Sequence, residues 1–288
     1  MTQIALSAVL RSAATLMRSG RWADATHLLE AVTPADSAEK LALAAARAEV
    51  AVDQDFAQVV DTAAPALELF EKALTESPDE IHRWDLAMLT LRKTYGKALA
   101  REHTIADGEG PGADGEGPGA EGEEPGAEQG AAELGKELGL QAEALQATAP
   151  DEARAGHAAF YAGVIADNLQ VLPDEAFAHY TAAFELGKSS GDKMVISLAL
   201  RHLGDHAHTA GDLKLARAHW ERSTELRQQI GHLLGALAQQ TLLAVLTRDE
   251  GNALGAAALA TEVNRWSRQA DLPWITTQSA TLIPDPAA

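Results

Sequence analysis

The chain has no cysteine, so disulfides, thiolate nucleophiles and cysteine-held zinc are excluded from the outset. Aromatic residues are scarce at 5% of 288 residues, and apolar runs of β-branched residues at strand length are nearly absent. Ala and Leu dominate the apolar content, and these are the strongest apolar helix formers. Basic residues are outnumbered, 23 against 42 acids, for a formal charge of −19. Taking out the eight acids between Thr104 and Gly130 still leaves −11. A chain this acidic, with no basic stripe, repels phosphate backbones, so no nucleic-acid partner is expected. No apolar run reaches the ~20 residues that span a bilayer, so no membrane role is expected either. Arg11 interrupts the apolar stretch between Met1 and Met17, which reads as a first helix of the fold, not as a leader; the expected location is the cytoplasm.

What is present is helical periodicity on both sides of one unusual segment. From Asp107 the sequence runs DGEGPGA, DGEGPGA, EGEEPGA, three copies of a seven-residue unit. Gly and Pro break helix and strand alike, and the like charges repel, so the unit predicts a disordered, solvated insert over residues 104–128. It is no coiled-coil heptad, because no position carries a large apolar residue. Pro34, Pro78, Pro150 and Pro173 fall between periodic segments, as helix boundaries should, whereas Pro65 lies inside one and should kink or divide it.

The C-terminal third repeats itself at a spacing of 40. Ala176, Ala216 and Ala256 coincide, as do Ala178, Ala218 and Ala258, and Tyr180 falls on Trp220. His179 matches His219, and Gly191 matches Gly231. A second match, spaced by 34, sets GRWADA from Gly20 on QDFAQV from Gln54, with Trp22 on Phe56. Self-similarity of fixed period between helix pairs indicates stacked repeats.

Leu200, Leu203, Gly204, Ala207, Gly211, Ala216 and Trp220 follow one another in an order that resembles the tetratricopeptide repeat. Weaker copies are Leu243, Ala244, Gly251 and Ala256, with Ala260 in place of the large residue, and Ala13, Leu16, Gly20, Ala25 and Leu29. The resemblance implies an all-α, right-handed superhelical solenoid of antiparallel helix pairs. It would occupy residues 1–103 and 129–288, the second part ending in a C-terminal cap. Residues 79–103 and 131–145 look like the two helices of one repeat, which would make the insert an enlarged turn. That favours a single array, although two separate halves remain an alternative.

The family's first helices line a concave groove that takes a peptide. Carried onto this sequence, the groove would present Arg201, Asp205 and His208 in the best copy and Thr241 and Arg248 in the next. The preceding copy would add His157, Phe160, Asp167 and Asn168, with its register open by one residue. Chemistry-bearing patterns are few. His202 and His206 stand four apart, as helical metal ligands do, but no HExxH glutamate accompanies them and no third ligand is fixed. Their counterparts 40 residues on are Leu242 and Leu246, which favours packing over metal. No nucleophile elbow, P-loop or EF-hand pattern occurs. The expectation is a non-catalytic scaffold with no cofactor that binds a protein or peptide partner. A sensor module for a small ligand or a transcription factor is the alternative, and a helical metalloenzyme at His202 and His206 a third. The sequence is silent on oligomeric state.

Overall fold

A computed structural model describes residues 5–106 and 125–284, and side chains outside 101–129. Of the insert expected over residues 104–128, positions 107–124 lie outside the described residues, and the positions on either side belong to helices instead. Thirteen helices and no strand are found among those described: α1 (Leu6–Arg18), α2 (Trp22–Glu30), α3 (Ser37–Gln58), α4 (Ala64–Glu76), α5 (Glu80–Ala106), α6 (Pro125–Ala147), α7 (Glu152–Asn168), α8 (Pro173–Ser190), α9 (Lys193–Thr209), α10 (Leu213–Gln229), α11 (Leu233–Asp249), α12 (Ala253–Gln269) and α13 (Pro273–Ala280). The chain is an all-α solenoid in which each helix packs on the next.

Local chemistry sets the boundaries. The side chains of Asp36, Asp151, Asp192, Asp212 and Asn252 accept first-turn amides and start α3, α7, α9, α10 and α12. Gly191, Gly211, Gly231 and Gly251 turn the chain between helices at φ of 72°, 80°, 70° and 91°, where an L side chain would be strained. Pro65 sits in the first turn of α4, the position where a missing amide costs nothing, so it opens a helix after the break that follows α3.

The interior is built on close approach of small residues to rings. A Cβ on Gly204 of α9 would run into the indole of Trp220 on α10, and one on Gly163 of α7 into the ring of Tyr180 on α8. Trp220 Nε1 donates to Arg201 O at 2.8 Å and Tyr180 Oη to Asp167 Oδ2 at 3.0 Å, so each buried ring also satisfies its polar atom. The α7–α8 connection is one residue longer than that of α9–α10, which settles the register of the earlier copy at Gly163. By contrast, the match spaced by 34 joins unlike places. Trp22 is buried at the start of α2, whereas Phe56 is half exposed near the end of α3.

Odd-numbered helices form one row. α1 meets α3, α3 meets α5, α5 meets α7 and α7 meets α9, while even-numbered helices pack outside them. On either side of the acidic segment, α5 and α6 lie against each other, with Trp84 Nε1 donating to Leu145 O at 2.9 Å. The row then returns on itself. α13 touches both α11 and α3, and Gln58 Nε2 donates to Asp271 Oδ2 at 3.0 Å across 213 residues of sequence. Trp22, Leu43 and Val50 share one buried cluster with Leu237, Val263, Leu272 and Ile275.

Candidate functional site

Because the odd row curves back, its inner side encloses a space. A cavity of about 460 Å³ opens between α1, α3, α5 and α7, with apolar walls from α1 and α3 and ionisable groups opposite. Arg154 on α7 forks onto Asp85 of α5, Nε to Oδ1 at 2.7 Å and Nη2 to Oδ2 at 3.0 Å, and its Nη1 reaches Asp151 at 2.6 Å. This two-bond geometry fixes α7 on α5 at the rim of the cavity. Glu49 and Asp53 stand one turn apart on α3, toward Arg92 of α5. Desolvation pushes both carboxyls up despite that arginine, and Trp22 Nε1 donates to Asp53 Oδ2 at 2.8 Å. The guanidinium of Arg92 stands 6.0 Å from the ring centre of Tyr161.

The groove residues expected from sequence fall into four places. His157 lines the cavity beside Arg92, 3.8 Å from Asp192, and burial holds its imidazole below the usual range. Asp167, Asn168, Arg201 and Asp205 gather around Tyr95. Asn168 Nδ2 donates to Tyr95 Oη at 2.6 Å, and Arg201 Nη1 lies 3.7 Å from Asp205 Oδ2. Asp205 is pushed up by burial and by Asp167, with Arg201 opposing. His208 and Arg248 meet on Asp249, at 2.9 and 3.0 Å, tying α9 to α11. Phe160 and Thr241 go elsewhere. Phe160 is 7% exposed among Tyr161, Tyr180 and His202, and Thr241 is 4% exposed with its hydroxyl donated to Leu237 O. Neither has surface to offer a partner.

His202 and His206 both pack on the Tyr180 ring, His202 stacked at 4.6 Å and 20°, His206 edge-on at 5.8 Å. Among the described residues no three His, Asp or Glu side chains are placed to share a metal ion. Burial, then Arg201, Arg227 and His206, hold the His202 pKa well below its ordinary value. In the folded chain His202 is therefore neutral where the unfolded chain would protonate it. Its share of stability is present above about pH 6.5 and is lost as pH falls, at up to ~1.4 kcal/mol per unit. Imidazole resonances followed by NMR from pH 8 to 5 should show His202 unprotonated throughout, and His202→Phe should flatten the acid limb of the stability curve.

Sequence reasoning missed Glu49, Asp53, Asp85, Arg92 and Arg154, which line or border the cavity. The available signal was charge set inside strongly apolar helical runs, as with Arg47 and Glu49 in LALAAARAEVAV and Arg92 in MLTLRK.

No family model matches the sequence, and the curated proteins contain no match to it. Among solved structures, the apo form of RapI aligns over 96% of this chain and 79% of its own, at 11% identity and a TM-score of 0.43. No helix among the described residues is long and apolar enough to cross a membrane.

Proposed function

We propose that the chain is a non-catalytic interaction scaffold of tetratricopeptide-like repeats, acting in the cytoplasm, that holds an extended peptide segment of a protein partner against the inner face of its odd-helix row. The observation that carries this reading is the character of that face. Its ionisable side chains come from α3, α5, α7, α9 and α11, and both signs of charge are spread along it. Such a wall suits backbone and side-chain polar groups of a peptide better than an apolar helix. The acidity of the whole argues against nucleic acid as the partner.

Arg248 is exposed and Arg201 half-buried, so both can turn a donor toward a partner carboxylate. Peptides selected from a random library on the purified protein give the test. Arg248→Gln combined with Arg201→Gln should weaken the selected peptides by ~1.5–3 kcal/mol, roughly ten- to a hundredfold, with the melting temperature lowered far less than that loss of binding implies. Glutamine is used at both positions because a second carboxylate beside Asp205 or Asp249 would itself destabilise the helices. Undiminished binding would move the partner to the convex face or the acidic segment.

A further inference from the structure

One copy of the 40-residue repeat breaks its own pattern. Gly187 on α8, Arg227 on α10 and Ser267 on α12 are equivalent positions, all buried. Val195, Gly235 and Ile275, at the start of the following helices, are equivalent as well, and buried. In the first copy Gly187 is small and packs on Val195, and in the last Ser267 is small and bonds Thr276 at 2.9 Å. In the middle copy the sizes are exchanged. A Cβ on Gly235 would run into Arg227 Nη1 and His232 Nδ1, so the absent side chain is what makes room for a guanidinium.

Among the described residues that guanidinium has no counterion. Arg227 is 3% exposed, forms no ion pair with any of them, and its Nε is buried without a hydrogen-bond partner there. Nδ1 of His232 and both amide atoms of the fully buried Gln239 are also without partners. His232, Gly235 and Gln239, at spacings of three and four, share one face of α11. The first turn of α11 adds its own positive end, because His232 stands at the N-cap and its side chain caps nothing, where Asp192 caps α9. The charged groups that act on Arg227 and His232 from other helices are Arg18, Arg92 and Arg201, all cationic. Burial together with those neighbours pulls Arg227 down to about 9 and His232 to about 3. A buried, uncompensated cation is strongly unfavourable unless something pairs with it.

We propose that Arg227 and the start of α11 form a carboxylate-binding site, in which Arg227 takes both oxygens in a fork and the α11 first-turn amides and His232 complete the hydrogen bonds. A planar carboxylate matches the two parallel donors of a guanidinium. His232, at the N-cap of α11, is half-buried. The site does not depend on the peptide groove proposed above, and its test uses no protein partner.

The full chain is titrated at pH 7 with sodium succinate, with tri-alanine as free acid or C-terminal amide, and with sodium chloride at matched ionic strength. Succinate or the free acid should raise the melting temperature by several degrees, because a ligand of the folded state alone stabilises it. The amide and chloride should not. A response to succinate alone indicates a free small carboxylate as ligand, and a response to tri-alanine acid indicates a chain end; either supports the site. Arg227→Met should melt no lower than wild type without anion and should lose the response. In the unmodified protein, the Arg227 Nε–H resonance should move with succinate and stay fixed with chloride. Equal responses to succinate and chloride, a response surviving in Arg227→Met, or an unmoved Nε–H resonance would each overturn the proposal.

Discussion

Replacing Trp220 by Ala is expected to cost ~3–5 kcal/mol, since truncating a large buried aromatic removes its transfer energy and leaves a cavity. The ring is 1% exposed and sits against Gly204, which has no side chain to move into the space, and beside the His208 ring at 5.4 Å. The substitution also removes the indole N–H that Arg201 O accepts in addition to its α9 backbone bond. Urea unfolding measures the loss directly. Trp220→Phe separates the two contributions, because it keeps most of the volume and removes only the donor. A loss below ~1 kcal/mol for Trp220→Ala would mean that the α9–α10 pair is held by contacts other than this ring.

Ile275→Asp should have an effect of similar size but a different reach. Ile275 is 1% exposed on α13, in the cluster that contains Trp22, Leu43 and Val50 from the opposite end of the chain. A carboxylate there has no partner, and its desolvation costs several kcal/mol even after it takes up a proton. In an open array the damage would stay in α11 to α13, since repeats contact only their neighbours. Here α13 also lies on α3, so amide hydrogen exchange should accelerate in α1, α2 and α3 as well. The amides of α8 and α9, remote from the junction, should change least. Unchanged protection in α1 to α3 would show that the two ends are not energetically coupled.

The helical solenoid itself was legible in the sequence for particular reasons. Ala176, Ala216 and Ala256 recur because each must let one backbone approach another. Tyr180 and Trp220 recur because one large ring fills the space beyond. Caps at Asp192, Asp212 and Asn252 and turns at Gly191, Gly211 and Gly251 are local chemistry, readable without a fold. The site was less legible. Arg201, Asp205, Asp167 and Asn168 do come together around Tyr95, because one face of a helix can be counted along the chain. Thr241 satisfies the same count yet is buried, because counting gives a residue's direction on its own helix and not what is packed over it.

The sequence by itself determined the helices, their boundaries and their order, since these depend on propensity, capping and contacts between near neighbours. Only the tertiary structure decided that α13 returns to α3, that Glu49 and Asp53 come near Arg92, and that Arg227 lies where Gly235 leaves room. Those features join residues from different repeats and opposite ends of the chain. Their meeting depends on the small rotation added at every repeat, and no local pattern encodes that sum.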